Sequence, residues 1–156
     1  MPQLDPAGES SNRPPRVLIL CTANSARSQM AEGLLRHDFG DRFLVESAGS
    51  KPGVVRPEAI AALAEIGIDI THHRSKHVDQ FAGQSFDWVI TVCDHARDVC
   101  PVFPAATRMV HHAFPDPAAA DGDEHARLDA FRAVRDQIRQ WLRTGFATLQ
   151  PSPPPA

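Results

Sequence analysis

The chain has 156 residues, 42% of them hydrophobic, and a formal net charge of −3. That length and apolar share suit one globular domain with a real core. The mild negative charge argues against a general nucleic-acid or membrane-surface binder, and no apolar run approaches the roughly 20 residues that span a bilayer.

The opening stretch, MPQLDPAGESSNRPPR, has no apolar segment of the kind a secretory signal needs, so the expected location is cytoplasmic. Four prolines within residues 1–15 and four more in the terminal PSPPPA predict disordered tails over 1–14 and 150–156. They frame one domain over 15–149 with no internal repeat. Inside it RVLILC (16–21) reads as a buried strand. Ser28 to Asp38 follows as a helix, with Met30, Leu34 and Leu35 in a stripe. FLVESAG (43–49) is a second strand. Pro57 to Gly67 is a second helix, with proline in the first turn and glycine as its stop. Residues 75–82 form a short helix, FDWVITV (86–92) a third strand and RMVHH (108–112) a fourth. Asp123 to Arg143 is a long final helix whose inward face is Leu128, Phe131, Val134, Ile138, Trp141 and Leu142. Strands interleaved with helices predict an α/β fold with a four-stranded parallel sheet flanked by helices. Ligands in such folds bind where strands end and helices begin, which is where Cys21 falls.

Residues 21–28, CTANSARS, carry the first chemical signal. The loop is short and built mostly from Thr22, Ala23, Asn24, Ser25 and Ala26, so its N–H groups can converge on one point. The helix starting near Ser28 adds unpaired N–H groups and a positive dipole end. The result is a cradle for a tetrahedral oxyanion, gripped further by the planar fork of Arg27. The same field is expected to lower the Cys21 pKa from about 8.5 and ionise it as a nucleophile. Displacement at such a centre needs a proton for the leaving oxygen. Asp116, stiffened between Pro115 and Pro117 after the fourth strand, is the candidate donor.

Three cysteines in a reducing compartment point to thiol chemistry rather than static disulfides. Cys93 and Cys100 follow the third strand, seven residues apart, with a helical turn expected between them. An intact helix would hold them about 10 Å apart, beyond the roughly 7 Å Cα limit of a disulfide, so joining them requires the segment to unwind. No second cysteine pair completes a zinc site, and His72, His73, His95, His111 and His112 match no standard metal spacing, so no metal is expected. One nucleophile with two further thiols on a neighbouring loop suggests a relay of electrons through cysteines.

CTANSARSQMAEG (21–33), SAG (47–49), GIDI (67–70), TVCDHARDVCPVFP (91–104) and FPDPA (114–118) resemble the arsenate reductases built on the low-molecular-weight tyrosine phosphatase fold. The match runs in order over most of residues 16–145. The resemblance implies a single-domain three-layer sandwich and a reaction with arsenate, for which phosphate or sulfate are mimics. It implies that Cys21 attacks arsenate held by the loop amides and Arg27, and that Asp116 protonates the departing oxygen. Cys93 then attacks Cys21 and arsenite leaves. Cys100 attacks Cys93, and thioredoxin, or alternatively glutaredoxin, reduces the Cys93–Cys100 disulfide. No tightly bound cofactor and a monomer are implied. Asn24 and Ser28 match residues that orient the loop and Cys21.

Three departures stand out. Ala26 replaces a cysteine found in many relatives. Ala23 replaces a glycine and is tolerable only where positive φ is not needed. Some relatives bind potassium through Asn, Glu, Ser and Asp. Here Asn24, Glu32 and Ser47 are present but Lys76 stands at the aspartate, so its ammonium is expected in the cation's place. Two other readings stay open. A tyrosine phosphatase of this fold usually has Ser-Pro after the arginine and tyrosine after Asp-Pro, where this chain has Ser28-Gln29 and Ala118 and no tyrosine at all. A thiol-based redox or arsenic sensor would have little need of Asp116 or the anion loop.

Overall fold

The structure, a computed structural model, describes residues 13–147 apart from 99, 102, 105 and 106. The two expected tails therefore lie outside the described residues, save Arg13 and Pro14. Strands β1 (Arg16–Cys21), β2 (Leu44–Gly49), β3 (Trp88–Thr91) and β4 (Arg108–His111) form one sheet in the order β2-β1-β3-β4, every pair parallel. Val17, Leu18, Ile19 and Leu20 are all buried although successive side chains point to opposite faces, so both faces of β1 are covered.

The helices are α1 (Arg27–Phe39), α2 (Pro57–Ala64), α3 (Asp94–Asp98) and α4 (Glu124–Trp141). Helix α2 starts at proline as expected but stops at Ala64, and the chain reverses through Gly67 at φ +82°. Asp123 caps α4 by accepting from the Ala126 N–H at 2.9 Å. Residues 75–82 hold only a 3-10 turn, Val78–Phe81. The final helix does not end at Arg143: it widens after Trp141 into a π-helical turn, Leu142–Phe146. That turn aims Phe146 inward, fully buried, with its ring centroid 5.3 Å from Trp88 and 5.4 Å from Phe43. Asp38 at the end of α1 pairs with Arg139 at 2.8 Å and Arg143 at 3.1 Å, which fastens α1 to α4.

The chain leaves β1 toward β2 on one side and β3 lies on the other. This is the switch point of the sheet, where the crevice beyond the strand ends opens. Cys21 ends β1 and Cys93 lies two residues beyond β3.

Candidate active site

The loop after β1 is held from outside. The Thr22 carbonyl accepts from Lys51 N–H at 2.9 Å, the Ser25 carbonyl from Arg56 N–H at 2.9 Å, and the Ala23 carbonyl from Gly53 N–H at 3.1 Å and Ser75 Oγ at 2.9 Å. A trans peptide points its N–H opposite to its carbonyl. The N–H groups of Ala23, Asn24 and Ala26 are therefore turned away from these partners, toward the inside of the loop. The first N–H groups of α1, which lack helical acceptors, join them. Gly49 lies opposite Cys21 in the β1–β2 register. A Cβ there would collide with the Thr22 carbonyl and come within 2.9 Å of Asn24 N, so only glycine lets the loop approach.

Asn24 carries the positive φ of the loop, +50°, and no other described non-glycine residue has one. The strain thus falls one residue beyond Ala23, which explains why alanine is tolerated there. The buried Asn24 side chain uses its full bonding capacity. Nδ2 donates to Ser28 Oγ at 2.8 Å and Ser47 Oγ at 2.9 Å. Oδ1 accepts from Gln29 Nε2 at 3.0 Å and Lys76 N–H at 2.8 Å. Such satisfaction offsets the cost of burying an amide and fixes the loop's shape.

Behind this network sits Glu32, with its side chain 3% exposed. Ser47 Oγ donates to its Oε1 at 2.5 Å, Arg36 Nη2 lies 2.9 Å from Oε2, and Lys76 Nζ lies 3.9 Å from Oε1. Two fixed cations already neutralise this carboxylate, so the donor set does not fit an added potassium ion. Among the described residues no group of three or more His, Cys, Asp or Glu side chains is placed to hold a metal ion. His73 Nδ1 donates to Gln29 Oε1 at 3.0 Å, and burial, followed by the charges of His72, Arg36 and Lys76, lowers its pKa to about 4.

Arg27 reaches back over the loop from the first position of α1. Its Nη1 donates to the Phe114 carbonyl at 3.1 Å, and Nη2 lies 3.9 Å from Asp116 Oδ2. Its Nε is buried without a hydrogen-bond partner, a donor that an oxyanion oxygen would satisfy. The other Asp116 oxygen accepts from Ala118 N–H at 3.0 Å, which holds the half-exposed carboxyl at the mouth of the loop.

The three thiols gather at the end of β1. Cys21 and Cys93 are buried and form a hydrogen-bonded pair. Cys93 Sγ is 3.3 Å from Thr22 Oγ1 and accepts from Ala96 N–H at 3.4 Å. Cys100 lines a small cavity with Leu20, Cys21, Ser50, Val78, Ala96 and Pro101. All three cysteines are free. The expected ionisation of Cys21 needs correction for this state. The hydrogen bond with Cys93, then burial, pushes the Cys21 pKa up, and Arg27 pulls only partly against them. That hydrogen bond, with help from Thr22 and Ala96 N–H, brings the Cys93 pKa down. The two thiols titrate as a coupled pair, with Cys93 held down by more donors than Cys21 has. Burial pushes Cys100 up. The expected helical turn between Cys93 and Cys100 is a single one, α3.

The fold brings Cys21, Arg27, Cys93, Cys100 and Asp116, the catalytic candidates of the sequence, to one crevice. Gln29, Gly49, Ser75 and the Phe114 carbonyl, which shape the loop from outside, were not among those candidates. Gly49 had a usable signal: it ends the strand that follows β1, at the level of Cys21.

The family model for low molecular weight phosphotyrosine protein phosphatase matches residues 16–152. The arsenate reductase of Halalkalibacterium halodurans is 45% identical over 128 residues, which is 82% of this chain and 92% of that one. A solved arsenate reductase in a phosphate-binding state superposes with a TM-score of 0.70 at 28% identity, covering 87% of this chain and 99% of the other. The thioredoxin-dependent arsenate reductase of Corynebacterium glutamicum gives 0.68 at 27% identity, covering 92% and 67%.

Proposed function

The chain belongs to the low molecular weight phosphotyrosine protein phosphatase family and is an arsenate reductase; we propose that it works through a three-thiol relay at Cys21, Cys93 and Cys100. The gathering of those three free cysteines around one oxyanion cradle carries this reading.

Arsenate enters the loop of Thr22, Ala23, Asn24, Ser25, Ala26, Arg27 and Ser28, where inward N–H groups and the guanidinium of Arg27 take its oxygens. The Cys21 proton passes to Cys93 along their existing hydrogen bond, and the Cys21 thiolate attacks arsenic. A sulfur–arsenic bond forms, and one oxygen leaves as water with a proton from Asp116. Cys93 then passes its proton to an arsenic-bound oxygen and attacks the Cys21 sulfur as a thiolate. The sulfur–sulfur bond forms as the sulfur–arsenic pair goes to arsenic, which departs as arsenite. Cys100 attacks Cys93, Cys21 leaves as a thiolate, and a Cys93–Cys100 disulfide remains. A thioredoxin-class dithiol reduces it, and no tightly bound cofactor is required. The protein acts as a monomer in a reducing cytoplasm, where its free thiols persist.

Arsenate-dependent NADPH consumption with thioredoxin and thioredoxin reductase tests the coupling. Turnover only with glutathione and glutaredoxin would replace the partner. The Lys76 ammonium, 15% exposed beside Glu32, takes the place of a bound cation. Turnover is accordingly equal in potassium and sodium salts, and a several-fold rise with potassium would overturn that assignment.

A further inference from the structure

His111 takes no part in the relay as described above, yet it is held at both ring nitrogens beside it. Nδ1 is 2.7 Å from Thr91 Oγ1, and Nε2 is 2.8 Å from Asp94 Oδ1. Thr91 and His111 face each other in the β3–β4 register, and Thr91 is buried at 2% exposure. The ring is therefore fixed to the sheet on one edge. An ionised carboxylate only accepts, so the network assigns the Nε2 hydrogen to the Asp94 bond. Asp94 is the residue after Cys93 and the first of α3, the helix that separates Cys93 from Cys100. Arg97 Nη2 also approaches Asp94, at 3.8 Å, but from within the same short helix, so it moves with that helix rather than anchoring it.

A Cys93–Cys100 disulfide needs Cα atoms within about 7 Å, whereas the turn that Cys93 opens, with its carbonyl accepting from Arg97 N–H and helix running to Asp98, already rises about 7.5 Å over five residues. The segment starting at Asp94 must leave its helical path for the bond to form. The Asp94 carboxylate is carried by that backbone, while His111 stays with the sheet. The contact is made in the dithiol form and given up in the disulfide form, and such a differential contact biases the equilibrium.

We propose that His111 is a positioning residue that latches the relay segment to β4 through Asp94 and so favours the reduced Cys93/Cys100 pair. The inference rests on the relay reading above. Its consequence is a more readily reduced disulfide, in which re-forming the His111–Asp94 bond helps drive return to the dithiol. The latch also keeps Cys93 beside Cys21 until Cys100 attacks.

The test is the midpoint potential of the Cys93–Cys100 couple, read by thiol alkylation and mass mapping after equilibration with mixtures of reduced and oxidised dithiothreitol. Asp94→Ala and His111→Ala each raise the equilibrium constant for disulfide formation about fivefold. At 29.6 mV per tenfold for a two-electron couple, that is a midpoint about 20 mV more negative. His111→Gln, whose amide can still donate to Asp94, and Asp94→Asn, whose oxygen can still accept, stay near wild type. The double alanine variant moves no further than either single one, because both remove the same bond. Unmoved potentials in the alanine variants, or additive shifts in the double variant, would overturn the latch while leaving the relay standing. A wild type that reacts with arsenate and never shows the Cys93–Cys100 disulfide would overturn the relay, and the latch with it.

Discussion

Replacing Asn24 with alanine tests whether the anion loop is built as described. The substitution keeps φ near +50° but puts a Cβ-bearing residue there with no side chain to offset the strain. That conformation costs an ordinary residue about 1–2 kcal/mol. Four hydrogen bonds go with the amide. Two of the partners keep other bonds: Gln29 Nε2 still reaches the Asn24 and Arg74 carbonyls, and Ser47 Oγ still reaches Glu32. The Lys76 N–H loses its acceptor, at about 1–3 kcal/mol for a buried orphan. The expected loss is about 3–4 kcal/mol, a large share of a stability that is typically 5–15 kcal/mol. Urea unfolding followed by the fluorescence of buried Trp88 measures it. Asn24→Gly removes the same bonds without the φ strain and should recover about 1 kcal/mol of the loss. An alanine variant within about 1 kcal/mol of wild type, or alanine and glycine variants of equal stability, would refute the reasoning.

Two further outcomes follow from the same geometry. Gly49→Ala drives a Cβ into the Thr22 carbonyl and Asn24 N, so kcat/KM for arsenate should fall at least about 100-fold, as displacement of a site by an ångström does. Gly53→Ala, where nothing lies within 4 Å of the added carbon, should leave kcat/KM within twofold. His73 gives a pH dependence. Its folded pKa of about 4 lies below the unfolded value of 6.5, so the unfolded chain takes up a proton that the native state refuses. The stability it protects is complete above pH 6.5 and is lost progressively as the pH falls to about 4. At 1.36 kcal/mol per unit, wild type should lose about 2 kcal/mol more than His73→Gln between pH 7 and 4.5 by urea unfolding. Parallel pH profiles would count against the buried neutral histidine.

Much of this was legible because the governing signals are local. The apolar run 16–21, the cysteine at its end and the arginine six residues later share one strand–loop–helix unit, and register plus helix dipole then dictate an anion site. Asp116 drew notice through its two flanking prolines, and its carboxyl lies 3.9 Å from Arg27 Nη2. What stayed hidden comes from residues distant in the chain. The loop carbonyls are satisfied by Lys51, Gly53, Arg56 and Ser75, and no periodicity announces that pairing. The coupling of two thiols could not be read either. A loop field alone lowers the Cys21 pKa, but Cys93 arrives from the end of another strand and its hydrogen bond, with burial, raises it. The π-helical turn at Leu142–Phe146 escaped because a helical stripe fixes which residues face inward, not how wide the last turn is.

The relay is tested most directly by arsenate turnover of wild type and Cys100→Ser with thioredoxin, thioredoxin reductase and NADPH. Wild type should consume many equivalents of NADPH per enzyme. Cys100→Ser should release about one equivalent of arsenite and stop with a Cys21–Cys93 disulfide. Sustained turnover of the Cys100→Ser protein with thioredoxin would contradict the three-thiol account.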